Sequence, residues 1–204
     1  MRKDTLYCDR PDSPKRRAAR TMLDILHRCL TTWLAPVLVF TAEEAWTARF
    51  GEEASVHLQD FAEIPERWRD DALAARWTEV RDIRRVITGC LERARAEGAI
   101  GASLQAAPVL HLPPDKAALL FPAEWAELAI VSDLTVSTEP PPAGAFALPD
   151  LPGVAVAFKR APGEKCARCW KVLAEVGEHP AHPTLCRRCV DAVQSGLVCK
   201  AAAE

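Results

Sequence analysis

Cys166-Ala167-Arg168-Cys169 and Cys186-Arg187-Arg188-Cys189 are two CxxC pairs separated by residues 170–185. Each pair lets two sulfurs from one tight turn point at a common centre. Two such turns facing each other offer four thiolates in a tetrahedron, the donor set of a structural zinc ion. A closed four-sulfur site leaves no position for water or substrate, so one Zn2+ held by Cys166, Cys169, Cys186 and Cys189 is expected to stabilise a fold and to do no chemistry. His179 and His182 fall between the pairs and offer an alternative ligand, but four thiolates at matched spacing already fill the site.

Outward from this module, the 204 residues hold one large or two small domains, and a hydrophobic share of 49% is enough to bury a core. Net charge is −2 and selects no partner, but its distribution is uneven. Residues 1–96 sum to +1, residues 97–158 to −6 and residues 159–204 to +3, so the basic excess sits on the cysteine module. The start, Met1-Arg2-Lys3-Asp4, lacks the apolar core of a signal peptide, and no apolar run approaches the ~20 residues of a membrane span. A cytoplasmic, reducing location without membrane partners is the expectation, with Cys8, Cys29, Cys90 and Cys199 as plain thiols.

The first half reads as helical. In residues 14–34, Leu23, Leu26, Leu30, Trp33 and Leu34 recur at three- and four-residue steps and predict one buried face. Pro36 ends that helix, and Thr41 with Glu44 predicts a capping box opening a short helix through Trp46 and Phe50. Residues 51–65 predict a loop. A long helix follows from about 66 to 97, with Leu73, Trp77, Val80, Ile87 and Leu91 as its buried stripe and Gly98 as its stop. Beyond it, Val109–Leu112, Leu134–Thr138 and Val154–Phe158 predict short strands, with short helices at 115–120 and 123–128. The proline run at 140–142 predicts an exposed loop. The expected organisation is 1–98 helical, 99–160 a small α+β segment and 161–204 a four-cysteine zinc finger.

Groupings for catalysis are missing: there is no glycine-rich phosphate loop and no nucleophile elbow. His27, His57 and His111 read as structural, and Glu43-Glu44, Glu52-Glu53 and Asp70-Asp71 as solvated surface, because adjacent helical residues do not share a face. The cationic residues of the zinc module suggest binding. Arg168, Lys171, Arg187 and Arg188 would be held by metal-pinned turns, and fixed guanidinium groups suit phosphate oxygens. Trp170 either packs under the first knuckle as the core of a small module or stacks on an unpaired base. Lys15, Arg16, Arg17 and Arg20 form a second basic cluster, opposed to their own helix dipole, which serves either solubility or an RNA backbone.

These residues carry a resemblance. Lys165-Cys166-Ala167-Arg168-Cys169-Trp170, Val176-Gly177 and His182-Pro183-Thr184-Leu185-Cys186-Arg187-Arg188-Cys189 resemble the C-terminal zinc finger of bacterial isoleucyl-tRNA synthetases. Arg2-Lys3-Asp4-Thr5-Leu6-Tyr7-Cys8-Asp9, Trp33-Leu34-Ala35-Pro36, Phe40-Thr41-Ala42-Glu43-Glu44-Ala45-Trp46 and Ser55-Val56-His57-Leu58 resemble the helical anticodon-binding domain of that family. Ile100-Gly101-Ala102-Ser103-Leu104-Gln105-Ala106 resembles its passage into a small C-terminal domain. The HIGH-type and KMSKS-type catalytic signatures are absent. The resemblance implies the last part of a class I synthetase, beginning within its anticodon-binding helical bundle. Such a chain binds the anticodon stem and loop of isoleucine tRNA and lacks the part that activates isoleucine with ATP. It implies zinc ligation by the four cysteines, and as a partner the catalytic part of the synthetase if the gene is split. A free-standing zinc-stabilised interaction module, acting on protein or on tRNA in trans, is the alternative. A similar finger occurs in formamidopyrimidine-type DNA glycosylases, which the long helical half does not fit.

Overall fold

A computed structural model describes residues 3–197; Met1, Arg2 and residues 198–204, Cys199 among them, lie outside the described residues. The chain forms two compact units, residues 1–70 and 71–204.

The first unit is helical. Helix α1 (Lys3–Cys8) leads into α2 (Pro14–Leu34), whose start is fixed by Ser13: its hydroxyl accepts the Arg16 amide at 3.2 Å, and Pro14 supplies a first-turn φ without wasting a donor. Helix α3 (Val39–Phe50) begins earlier than the Thr41–Glu44 pairing predicts, and its first turn has no side-chain cap. The Glu43 carboxylate is used elsewhere. It accepts the Val56 amide at 2.8 Å and the Ser55 hydroxyl at 3.1 Å, pinning the chain that returns from α3. That fixed return buries Val56 beside Ala35, Ala42 and Trp46 in a small core.

The face of α2 differs from expectation. Leu26, Leu30, Trp33 and Leu34 do share a face, but each is 42–51% exposed, and Val37, Leu38, Val39 and Phe40 extend this apolar surface past the helix end. The residues α2 buries are Cys29, Thr31 and Thr32. Threonine burial is tolerated there because both hydroxyls donate to carbonyls one turn back, at 2.7 and 2.8 Å.

In the second unit, α4 (Asp71–Ala96) lies against a four-stranded sheet of order β2-β1-β4-β3. The strands are β1 (Val109–His111), β2 (Thr135–Ser137), β3 (Phe146–Ala147) and β4 (Ala155–Ala157). β1 pairs parallel with β2 and antiparallel with β4, which pairs antiparallel with β3. Between β1 and β2 the chain makes α5 (Pro114–Ala117) and α6 (Pro122–Ala129), the crossover a parallel pair requires. Ile83, Val86, Ile87 and Cys90 of α4 close over Leu110, Val156 and the fully buried Trp125 of α6. The stripe of α4 holds at Val80, Ile87 and Leu91; Trp77 is half-buried and Leu73 is 46% exposed at the helix start. Cys90 is a buried thiol pushed up in pKa by desolvation, in keeping with a plain core residue. Arginines of α4 fasten the loops: Arg84 donates to the Leu128 carbonyl at 2.7 Å, Arg93 to Gly144 at 3.0 Å, and Arg76 to Leu119.

Removal of Trp125 would leave a void that α4 and the sheet cannot collapse to fill. Trp125→Ala should cost the second unit ~3–5 kcal/mol, read as a fall in its denaturation midpoint by circular dichroism.

Candidate zinc centre and nucleic-acid interface

The finger starts with the hairpin β5 (Glu164–Lys165) and β6 (Val172–Leu173), paired antiparallel. Gly163 opens it at φ 96°, and a Cβ there would collide with the Leu173 carbonyl, so both conformation and space demand glycine. Ser132 joins this hairpin to the rest of the unit. Its hydroxyl, on a residue only 5% exposed, donates to the Leu104 carbonyl at 2.5 Å and accepts the Val172 amide at 2.7 Å.

The first knuckle is closed by the Trp170 amide donating to the Cys166 carbonyl at 2.9 Å and the Cys166 amide donating to the Lys171 carbonyl at 2.8 Å. The second sits at the start of α7 (Arg187–Gln194), with Cys186 as its N-cap residue. A helix N-terminus favours the anionic form of a thiol placed there. All four sulfurs are buried and lie within 4.8 Å of one another. Cys169 Sγ and Cys186 Sγ are 3.7 Å apart. Ideal tetrahedral zinc with Zn–S of about 2.3 Å places its sulfurs about 3.8 Å apart, so the spacing fits zinc. The Cys186 amide donates to Cys166 Sγ at 3.4 Å and Arg168 Nη1 to Cys189 Sγ at 3.6 Å, giving the thiolates the donors that steady such a site.

Without a cation, four sulfurs this close cannot all ionise. Hydrogen bonds from the Cys186 and Cys189 thiols hold Cys169 far below the usual thiol range. Donating to that sulfur pushes Cys186 up to about 11 and raises Cys189 as well. A divalent ion removes the conflict by binding all four as thiolates. Four buried sulfurs gathered within 4.8 Å are the closed donor set of one structural zinc. His179 and His182 stand 5.3 Å apart beside each other, and His179 Nε2 lies 3.2 Å from Gln194 Nε2; neither belongs to the sulfur cluster.

The cationic residues divide by environment. Arg168 is half-buried and turned onto Cys189. Arg187 is exposed and paired with Glu178 at 2.6 Å, with Glu175 at 3.9 Å, which raises its already high pKa. Arg188 and Lys171 are half-buried. Trp170 is 61% exposed, so it does not form the module's core; it stands on the surface with Lys165 Nζ 5.1 Å from its ring centre. Its φ of 66° is a left-handed value that suits glycine and strains a bulky residue. In the first unit, Lys15, Arg17 and Arg20 are exposed on α2, while Arg16 is half-buried and donates to the Asp9 carbonyl at 2.8 Å. Sequence reasoning missed the structural work of Ser132 and Glu43, because a lone serine or carboxylate gives no signal until its partners, distant in sequence, are placed.

The family described as "Anticodon-binding domain of tRNA ligase" matches residues 1–110, and that described as "Zinc finger found in FPG and IleRS" matches residues 163–192. The chain is 54% identical to an isoleucine–tRNA ligase of Gluconobacter oxydans over 96% of its own length, 53% to that of Ruegeria pomeroyi over 93%, and 48% to that of Agrobacterium fabrum over 92%. It spans about a fifth of the length of these relatives, 20% of each.

Metal analysis of the untreated protein should return about one zinc per chain. Because structural zinc contributes on the order of 10 kcal/mol to a small module, chelation should melt residues 163–192 and leave α2–α4 helical, as seen by circular dichroism and amide exchange. Protons compete for the same sulfurs, so zinc affinity should fall as pH is lowered. A folded finger free of metal would contradict the assignment.

Proposed function

The chain belongs to the anticodon-binding family of tRNA ligases and carries the finger of the isoleucine enzymes, and from that premise we propose that it binds the anticodon stem and loop of isoleucine tRNA. In this reading residues 1–98 are the anticodon-binding part, 99–160 a small α+β domain and 161–204 the finger. The chemistry of aminoacylation, activation of isoleucine with ATP and transfer to the tRNA, belongs to the catalytic part of such a ligase. The place of action is the cytoplasm, where tRNA is charged; no helix among the described residues is long and apolar enough to cross a membrane.

One observation carries the RNA reading: an indole held on the surface, in a backbone conformation that costs ~1–2 kcal/mol for an L-residue, above a metal-pinned turn. Core packing does not account for it. A base–aromatic stack does, at about 1–3 kcal/mol per base. In this reading Arg168, Lys171, Arg187 and Arg188 of the same finger supply cations to the phosphates, Arg187 by exchanging its Glu178 partner, and Lys15, Arg16, Arg17 and Arg20 supply a second basic cluster.

A second reading draws on the uncovered apolar face of α2 and the turn that follows, where Leu30, Trp33, Val37 and Phe40 stay wet. A surface of this kind marks a docking site. Its partner in this reading is the catalytic part of the synthetase, or, for a free-standing module, another protein.

Trp170→Gly separates the roles. Glycine relieves the strain, so the finger should hold zinc as well as before or better, while affinity for the isoleucine tRNA should fall about tenfold. Unchanged affinity would return Trp170 to ordinary surface. With three or four phosphates contacted, log K should fall with a slope of about −2 to −3 against log salt, and Arg187→Gln with Arg188→Gln should flatten it. The chain alone should support no isoleucine-dependent ATP–pyrophosphate exchange, and detectable exchange in a clean preparation would overturn the assignment of catalysis to a separate part.

A further inference from the structure

The stretch Ile100-Gly101-Ala102-Ser103-Leu104-Gln105-Ala106 stands out in the sequence, yet neither the zinc site nor the basic clusters use it. In the second unit it forms a bed for the finger, because three successive carbonyls on it are taken by later parts of the chain. Leu104 O accepts the Ser132 hydroxyl at 2.5 Å, Gln105 O accepts the Ala161 amide at 2.8 Å, and Ala106 O accepts the Ser132 amide at 3.1 Å. Ala106 also forms an antiparallel bridge with Arg160. The turn itself, Ser103–Gln105, is held by one side chain: Gln105 Oε1 accepts the Gly101 amide at 2.7 Å and the Ala102 amide at 3.2 Å.

The finger is attached to this bed on both sides of its first knuckle. Ahead of Cys166 the attachment is Ala161, main chain to main chain, which does not depend on a side chain. Beyond Cys169 it is Val172, whose amide donates to Ser132 Oγ at 2.7 Å. That second attachment depends on a single hydroxyl. Its removal leaves both the Leu104 carbonyl and the Val172 amide without the group that joins them.

The backbone leading into this joint is forced. Among the described residues, two that are not glycine have a left-handed φ: Ile130 at 57° and Trp170 at 66°. One stands two residues before Ser132 and the other two residues before Val172. A β-branched residue in that region is a genuine outlier, and such conformations persist only where the surroundings over-determine them. Ile130 is the C-cap of α6, and its turn sends Val131 into the core and Ser132 to the joint. Strain on both approaches marks a joint that fixes direction, beyond merely tethering two segments.

We propose that Ser132 and Gln105 are positioning residues for RNA binding: they touch no RNA and hold the finger at the angle at which its cations engage phosphate. The proposal rests on the RNA reading above and supplies the device that aims it. Freedom already removed in the unbound protein is not lost again on binding, so affinity depends on the joint.

The test is a titration of the zinc-loaded full chain with isoleucine tRNA transcript at several salt concentrations, with amide exchange followed on the unbound protein. Ser132→Ala should speed exchange of the Val172 amide about tenfold, because the bond that protects it is gone. It should weaken tRNA binding about tenfold and flatten the salt dependence, while the protein keeps about one zinc per chain. In that background Arg187→Gln with Arg188→Gln should cost less than in the parent, the mark of coupled sites. Gln105→Leu should weaken binding in the same direction, and Gln105→Glu, which keeps an accepting oxygen, should restore it. Gln105 is half-buried, so its pair of variants carries the test if Ser132→Ala does not fold. Unchanged Val172 exchange in Ser132→Ala would overturn the joint. Faster exchange with the parent's affinity and salt slope, or a Gln105→Glu variant as weak as Gln105→Leu, would overturn the positioning role and leave the RNA reading standing. A parent chain that binds no tRNA would overturn the RNA reading and the positioning role together.

Discussion

Four sulfur atoms within 4.8 Å of one another hold a module that has almost no apolar core of its own. In residues 163–192 the buried side chains are the four cysteines with Val190 and Ala192, far short of what orders thirty residues by burial alone. Metal coordination takes the place of a core, and this frees the module's other side chains from packing duty. Trp170 shows the consequence. In a module stabilised by apolar burial its indole would be drawn inside; with zinc holding the turns, it remains outside, on a strained residue, beside Lys165. The rigidity that zinc gives to these turns also lowers the entropy lost when their side chains engage a partner.

The finger does not float free of the second unit. Its hairpin hangs on the Ser132 hydroxyl, which is bonded in turn to the Leu104 carbonyl, so a position between α6 and β2 sets where the finger begins. The Leu104 carbonyl belongs to the stretch following α4, and α4 covers the sheet. Orientation is thus relayed from a dry core of Ile83, Leu110, Trp125 and Val156, through one buried hydroxyl, to a metal centre. Buried hydroxyls with both roles satisfied contribute modestly to stability but strongly to uniqueness of arrangement.

Legibility in the sequence followed the range of the interactions. The CxxC pairs announce their chemistry because each ligand pair is local, and the structure gathers all four sulfurs as that spacing predicts. Strands at 109–111, 135–137 and 155–157 fall within the predicted runs, since β-branched clusters bounded by turns are local signals too. Strands of two residues, such as Phe146–Ala147, leave too short a pattern to read. Periodicity placed Leu26, Leu30 and Trp33 on one face of α2 correctly but could not tell whether anything covers that face; the helix buries its threonine side instead. The Thr41–Glu44 signature misled because α3 already starts at Val39, which puts Thr41 inside the first turn rather than ahead of it. Family resemblance supplied the anticodon-binding reading, which periodicity alone would never have given.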